Sequence, residues 1–347
     1  MKNEKGSVEV SFSVSPQEAL PHLKKAAARL AKNTLVPGFR KGKAPYAVLQ
    51  RQIEESAILE NALEDIIGKQ VEQFLAQEKM SVVGRPRVDI EKLAPGNPIA
   101  CKALFDLTPS VTLPDLSSLL IVRKKIEVSD EDVLKTLEDI RSRHPQKARS
   151  NGLAREGDNT SADDAFAREL NPKFQNMEEY KANLKQSLLR ELEYHDDAAK
   201  TSEMIDLLLK NLKLSHTPVL LVDQYADDII RRFERDIAER ENTTLAEHLQ
   251  HTGKPREDFD QEIRKEALKH VQTELILDEV IKAHGIEVSE EDVLREVEKI
   301  RLKFIFARMD VPRGVSSQAY RSHIKTTVLR NRALEFLKKK IIAYEKA

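Results

Sequence analysis

The sequence predicts an α+β N-terminal domain followed by a mostly α-helical, extended C-terminal domain with arm-like helices. The 347-residue chain is 33% charged but only 5% aromatic, with no Trp and 11 Gly, which suits long amphipathic helices better than a nucleotide-binding α/β enzyme. Apolar residues alternate with polar ones at 8–14 and 99–107, as in half-buried strands. After Pro172 they recur at helical spacing instead, so the two parts differ in class.

The chain opens with a strand, a capped helix and a loop. Val8–Val14 has the strand pattern, and Ser15–Glu18 reads as a capping box with Pro at the first helical position. The helix that follows carries Leu20, Leu23, Ala27 and Leu30 on one face. It ends in the loop 36–45, where Gly38 and Gly42 lie between Pro37 and Pro45. These four residues stop and restart helices, so the loop should stand at one end of its domain.

Two helices and a β-hairpin complete the N-terminal domain, which we place at residues 1–112. The first helix is short and carries Val48, Leu49 and Ile53, and the second carries apolar residues from Leu59 to Leu75 at helical spacing. Predicted strands at 87–93 and 99–107 flank a turn at 94–97. The single cysteine, Cys101, alternates with apolar neighbours and is interpreted as a core residue.

Residues 113–172 are predicted to form a linker of strand, helix and polar connection. The segment Ile126–Leu134 differs from Ile286–Leu294 only at Asp130 against Glu290. Both segments are typical helix starts with Ser as N-cap, and their separation is too long for a solenoid repeat. From Arg141 to Pro172 apolar periodicity fails, so we expect no domain there.

Residues 173–347 are predicted to be almost entirely helical. Helix starts are expected at Asn176, Thr217-Pro218 and Ser289, and Gly285 is suited to end a helix. Their apolar stripes fit either an ordinary core or exposed grooves, and periodicity alone does not decide between them.

Charge is distributed unevenly along the chain. Between Ala19 and Ile53 there is no acidic residue, although the whole chain has a net charge of −1. The stretch holds eight basic residues: Lys24, Lys25, Arg29, Lys32, Arg40, Lys41, Lys43 and Arg51. A field of one sign indicates a docking site for something anionic, although the loop taken alone also fits a solvated basic turn.

Motifs of enzymes and metal sites are missing from the sequence. It contains no GxxxxGK[ST], no GxGxxG after a strand and no HExxH, and His248 and His251 lack further ligands nearby in sequence. We therefore predict no catalytic residue, no metal and no cofactor. No secretory signal or membrane-spanning apolar run is visible, so we expect a soluble, cytoplasmic protein without a membrane partner.

The segment Gly38–Pro45, GFRKGKAP, resembles the ribosome-binding signature of the trigger factor family, bacterial ribosome-associated chaperones. The order of elements up to residue 112 and the helical region after Pro172 are also similar to that family. The resemblance implies a ribosome-binding site formed by Gly38, Phe39, Arg40, Lys41, Gly42 and Lys43. Phe39, Arg40 and Lys41 would contact protein and rRNA of the large ribosomal subunit near the exit tunnel.

The same resemblance implies a role for the helices. They would bind nascent and unfolded polypeptides without ATP, with Asn176–Leu214 in the body and Thr217–His284 and Gly285–Ala347 as two arms. Family members usually carry an inserted prolyl isomerase domain similar to FK506-binding proteins. Here the insertion point holds only Arg141–Pro172, so we expect that domain and its activity to be absent and the protein not to be an enzyme. A homodimer of the free protein is left open.

Two alternatives compete with this interpretation. A SurA-like periplasmic chaperone has a similar helical region, but the basic loop and the missing signal sequence disfavour it. An RNA-binding protein using residues 19–53 would explain the basic stretch, although not the long amphipathic helices.

Overall fold

The protein is described from a computed structural model. The described residues are 2–4, 6–32, 38–40, 44–94, 96–143, 162–312, 314–315 and 317–344. They divide into two compact units, each made of two chain segments: residues 1–112 with 212–279, and residues 113–211 with 280–347.

The first unit contains a four-stranded antiparallel sheet in the order β1-β2-β4-β3. Its strands are β1 (Lys2–Glu4), β2 (Ser7–Val14), β3 (Val82–Lys92) and β4 (Ile99–Leu107). Val8 and Val10 lie opposite Phe105 and Ala103, and all four are buried. Cys101 is buried, as predicted. Strand β3 begins before its predicted start at residue 87, because a register shift between Val83 and Arg87 accommodates the breaking residues there.

Three helices pack with this sheet: α1 (Pro16–Leu30), α2 (Tyr46–Gln52) and α3 (Glu55–Glu78). The capping box at the start of α1 is confirmed, since Ser15 and Glu18 exchange both hydrogen bonds. Leu20, one of the residues predicted to share a face of α1, is exposed. Ala19, Ala26 and Ala27 are buried instead, since small side chains let α1 approach α3 closely.

Residues 212–279 add helices to the first unit. The short strands β5 (Val111–Thr112) and β7 (Lys213–Leu214) pair antiparallel and lead into three helices. These are α7 (Val219–Glu241), α8 (Leu245–Thr252) and α9 (Arg256–His284), whose residues from Val280 onward belong to the second unit. Helix α9 ends before Gly285, which has φ +59°, as expected. The predicted stripe of α7, from Leu221 to Ile237, packs into two apolar clusters with α8 and α9.

A buried carboxylate joins the sheet to α7. Asp106 on β4 is only 1% exposed, and it accepts hydrogen bonds from Ser7 Oγ (2.8 Å) and from the backbone N–H of Leu221 (3.1 Å). Close by, His216 Nε2 lies 3.0 Å from the carbonyl oxygen of Leu107. The side-chain amide of Gln224 accepts a hydrogen bond from the backbone N–H of Arg85 and donates one to the Arg85 carbonyl oxygen. The start of α7 is thereby fixed to the sheet by polar contacts.

The second unit combines helices with one short parallel strand pair. Its elements are a 3₁₀ turn (Leu116–Ser118), β6 (Ile121–Arg123), α4 (Asp130–Arg143), α5 (Ala162–Leu170), α6 (Met177–Lys210), α10 (Glu290–Phe306), α11 (Gln318–Ile341) and β8 (Ile342–Tyr344). Strands β6 and β8 pair in parallel. On α6 the apolar residue Leu192 is exposed, whereas Met204 and Leu208 are buried.

The predicted polar connection over 141–172 is corrected for its last part. Residues 162–170 form α5, which buries Phe166 and Ala167 against Leu137 of α4 and Met177 of α6. A nine-residue helix with so few apolar residues gives a weak periodic signal, and packing rather than propensity stabilises it. The middle of this predicted connection, residues 144–161, lies outside the described residues.

The two near-identical segments both start helices, as expected. Ser129 caps α4 and Ser289 caps α10, each accepting from the N–H of the Asp three residues later at 3.2 Å. Their burial matches as well: Val133 and Val293 are buried, while Leu134 and Leu294 are each 48% exposed.

The predicted fold class is confirmed, with an α+β N-terminal region followed by a helical C-terminal region. Within the described ranges, none of the helices combines the length and apolarity that a bilayer crossing needs.

Candidate functional site

The loop between α1 and α2 carries the candidate site. Gly38, Phe39 and Arg40 are described and all three are exposed. Gly38 has φ +81°, a conformation that other residues rarely adopt, and a Cβ there would meet nothing within 4 Å. Lys41, Gly42 and Lys43, the other predicted site residues, lie outside the described residues.

Both ends of the loop are anchored in one apolar cluster. Ala31 precedes the loop and Leu49 follows it, and each is almost fully buried among residues of α1 and α3. Ala44 and Tyr46 pack against the same cluster. Burial raises the pKa of the Tyr46 hydroxyl. The loop therefore leaves from and returns to a rigid core, which presents its tip to solvent.

The basic field of residues 19–53 is partly neutralised by α3. Asp65 lies 3.4 Å from Lys25 Nζ and 3.7 Å from Arg29 Nη1, and Arg29 also donates to the carbonyl of Asn61. Residues 19–53 contain no Asp or Glu, and no local sequence pattern indicates that Asp65 of α3 lies beside them.

Four other cations keep the field basic. Lys24, Lys32, Arg40 and Arg51 are exposed, and none of them forms an ion pair with another residue that the structure describes. An exposed phenyl ring beside Arg40 can fill an apolar niche while the guanidinium bonds a phosphate or carboxylate. The loop thus has the chemistry of a docking tip for an anionic, partly apolar surface.

A second exposed feature is an apolar patch at the end of α10, which we call the α10 patch. Its members are Leu302, Ile305, Phe306 and Met309. Phe306 is 82% exposed, the most exposed of the described apolar side chains that are large. Val293 and Val297 on the same helix are buried, so α10 has separate core and solvent-facing apolar surfaces. The run Phe304-Ile305-Phe306 could have signalled this, because three consecutive residues cannot share one helix face.

The described residues offer no group of three or more metal-ligating side chains. His248 Nδ1 lies 2.8 Å from a Glu241 carboxylate oxygen, and its ring packs edge-on against Phe233. These contacts give His248 a structural role at the start of α8.

Protein-family models match both halves of the chain. The model described as bacterial trigger factor protein matches residues 1–140, and the model of the bacterial trigger factor C-terminus matches residues 176–339. Only 141–175 lies between the two matched ranges, which is consistent with the predicted absence of an inserted isomerase domain.

Curated relatives agree with the family models. Trigger factor of Nocardia farcinica is 23% identical over 371 residues, covering 84% of this chain and 78% of the relative. Trigger factor of Carboxydothermus hydrogenoformans is 22% identical, covering 86% and 88%. Trigger factor of Moorella thermoacetica is 23% identical over 422 residues, covering 97% and 93%. These alignments are longer than the 347-residue chain, so the relatives contain residues that this chain lacks.

A solved structure reported as "Promiscuous Substrate Recognition in Folding and Assembly Activities of the Trigger Factor Chaperone" covers 98% of both chains at 16% identity, with a TM-score of 0.47. The two family models together span most of the sequence, and the curated relatives carry one name throughout. The chain belongs to the bacterial trigger factor family.

Proposed function

We propose that this protein is a cytoplasmic chaperone that docks on the large ribosomal subunit and binds nascent or unfolded polypeptides without ATP. Membership of the trigger factor family supports the chaperone role. In this proposal residues 1–112 bind the ribosome, 113–172 form the linker, and 173–347 contact clients. The trigger factor matches do not favour a SurA-like periplasmic chaperone or a plain RNA-binding protein.

The exposed Phe39–Arg40 tip is the observation that carries the ribosome-binding proposal. It is anchored at Ala31 and Leu49, and it stands within a field of cations that Asp65 neutralises only in part. Lys41, Gly42 and Lys43 join the site because the motif of the family includes them. rRNA phosphates and acidic ribosomal side chains would pair with the cations, and Phe39 would enter an apolar niche.

The α10 patch supports client binding. Patches of this kind on a soluble chain mark interaction sites or aggregation liabilities. Unfolded polypeptides expose apolar segments, which bury area against Phe306 and Met309 without a sequence-specific pocket. In this proposal binding needs no ATP, because burial of apolar area favours association.

We further propose that the protein lacks prolyl isomerase activity. The trigger factor models leave only residues 141–175 unmatched between them, fewer than an isolated domain normally needs. We therefore expect no residues in this sequence to carry the isomerase activity that the family owes to its inserted domain.

Co-sedimentation with ribosomes tests the docking site. The triple variant Phe39→Ala/Arg40→Ala/Lys41→Ala should lose most ribosome binding, since it removes the aromatic ring and two cations at the tip. A matched control, Arg87→Ala/Lys92→Ala, removes two exposed cations from β3 and should bind normally. Normal pelleting of the triple variant at physiological salt would refute the assignment, as would an equal loss in the control.

A further inference from the structure

The last turns of α10 combine the exposed α10 patch with positive charge. Residues 299–309 contain Lys299, Arg301, Lys303 and Arg308 and no Asp or Glu. All four members of the α10 patch are at least 40% exposed. This acid-free segment is separate from the one that carries the docking loop, and the proposed function uses only its apolar side chains.

Two of these cations are available to a ligand. Lys303 and Arg308 are exposed, and neither forms an ion pair with any residue in the described ranges. Lys299 and Arg301 pair with glutamates three residues earlier on the same helix, at 3.0 and 3.5 Å, and exposed pairs of this kind are weak. The charge beside the patch therefore remains open to an outside anion.

The cations flank the apolar side chains. Leu302, Ile305 and Phe306 are three and four residues apart, so they lie on one face of α10. Arg301 and Lys303 stand next to Leu302 in sequence, which places them on opposite sides of that face. The buried residues of α10 lie on the other side of the helix, where it packs against α11. The α10 patch is thus an outward-facing apolar strip bordered by cations.

Helix α4 provides an internal comparison, since it begins with the segment that is nearly identical to the start of α10. Counted from the two N-cap serines, Asp139 and Ser142 of α4 occupy the positions of Lys299 and Leu302 of α10. All four side chains are exposed. The packing of these helices therefore does not require a cation and a leucine there, so their presence in α10 indicates a contact outside the core.

An anionic surface with an apolar interior matches both parts of this feature. A nucleic acid would pair with the cations but would offer no apolar partner to Leu302, Ile305 and Met309. A second copy of the chain would place like charges against each other. Anionic lipids present phosphate groups above acyl chains, and helices with Lys or Arg beside an apolar face lie in that interface.

We propose that the α10 patch binds the surface of membranes that contain anionic lipids. Phe306 enters the acyl boundary, while Lys303 and Arg308 pair with lipid phosphates. The contact is peripheral, and it departs from the expectation, drawn from the sequence, of no membrane partner. It also goes beyond the proposed function, in which the same patch contacts unfolded polypeptides through apolar area alone.

Flotation of the full chain with vesicles tests the inference. Vesicles of phosphatidylcholine alone are compared with vesicles of equal parts phosphatidylcholine and phosphatidylglycerol, and only the anionic vesicles should carry the wild type. Lys303→Gln/Arg308→Gln should lower that binding by about tenfold or more, because each cation near an anionic membrane surface contributes about fivefold. Ile305→Ser/Phe306→Ser should also lower it, since this variant removes apolar side chains that enter the bilayer.

Matched controls lie in the same unit. Lys325→Gln/Lys339→Gln removes two exposed cations of α11 and should float like the wild type. Leu134→Ser/Leu192→Ser removes two exposed leucines, one on α4 and one on α6, and should do the same. Equal binding of the wild type to both kinds of vesicle, or an equal loss in the controls, would overturn the inference.

The absence of tryptophan from the chain allows a second measurement. Phe306→Trp introduces a single reporter, whose fluorescence should shift to the blue when anionic vesicles are added. An unshifted spectrum would overturn the insertion of the patch.

Suppression of the aggregation of an unfolded protein, measured on the same samples, separates this inference from the proposed function. A chain that suppresses aggregation but floats with neither vesicle would overturn the inference and leave the proposed function standing. Loss of vesicle binding in Lys303→Gln/Arg308→Gln but not in Ile305→Ser/Phe306→Ser would reveal a purely electrostatic contact and overturn the membrane in favour of a nucleic acid.

Discussion

Replacing Asp106 with Ala should loosen α7 from the sheet of the first unit. The N-cap position of α7 is Pro218, which offers no side-chain acceptor to the first turn. Asp106, from β4, supplies one by accepting from the Leu221 N–H at 3.1 Å. Its other oxygen accepts from Ser7 Oγ at 2.8 Å, so one buried side chain satisfies donors from a strand and a helix.

The magnitude follows from those two hydrogen bonds. Asp106→Ala leaves two partly buried donors without their partner, and each such loss costs about 1–3 kcal/mol. Loss of an N-terminal helix cap alone costs about 1 kcal/mol. Because Ser7 and Leu221 are only half-buried, we expect a total near the lower end, about 2 kcal/mol. Asp106→Asn keeps one acceptor oxygen and should cost about half as much.

Hydrogen exchange is the appropriate assay because the chain has two compact units, so one global free energy of unfolding is not well defined. A local loss of about 2 kcal/mol corresponds to about a 30-fold loss of protection at the first amides of α7. Asp89→Ala, which removes an exposed carboxylate from β3, is the control and should leave that protection unchanged. Unchanged protection of residues 219–223 in Asp106→Ala would show that the carboxylate does not cap α7.

Three further predictions follow from other parts of the chain. Leu49→Ala should destabilise the first unit by about 2–5 kcal/mol and weaken ribosome co-sedimentation, since it opens a cavity in the cluster that anchors the docking loop; unchanged urea unfolding would contradict this. Hydrogen bonds from Ser15 lower the pKa of the Glu18 carboxyl. The stability advantage of wild type over Glu18→Gln should therefore be complete above the ordinary pKa of 4.5 and disappear as pH falls through the folded pKa. Thermal unfolding from neutral to acidic pH measures this advantage, and an advantage that grows on acidification would contradict the prediction. A protease-coupled assay on an Xaa-Pro peptide should show no catalysed isomerisation, and turnover that scales with protein concentration would refute the absence of that activity.

Elements whose signal is local were predictable from the sequence. The capping box at Ser15 and the left-handed Gly285 each depend on a few adjacent residues. Strong alternation at 99–105 likewise indicated which side chains of β4 are buried, although Asp106 departs from it. The exposure of Phe39 and Arg40 belongs to the same class, because two glycines and two prolines bracket them in sequence.

Features that depend on distant partners were not predictable. Asp65 reaches the basic residues of α1 only after α3 packs against that helix. Asp106 meets Leu221 across more than a hundred residues of sequence. Helical spacing grouped Leu20 with Ala27 on one face of α1, whereas close packing buries Ala27 and leaves Leu20 exposed. In each case the deciding term is a tertiary contact, which overrides the local pattern.

In the second unit, contacts between α4 and α5 hold together the two ends of the connection at which family members carry an inserted domain. The chain leaves α4 at Arg143 and re-enters a helix at Ala162, and the flanking helices already contact each other. Leu137 and Phe166 share one buried cluster, and Arg141 pairs with Asp163 while its guanidinium lies 5.4 Å from the centre of the Phe166 ring. Because these contacts hold the two ends together, the connecting chain adds mainly loop-closure entropy, which changes by only about 0.6 kcal/mol for each doubling of loop length. The contacts among α4, α5 and α6 therefore do not depend on a domain inserted between α4 and α5.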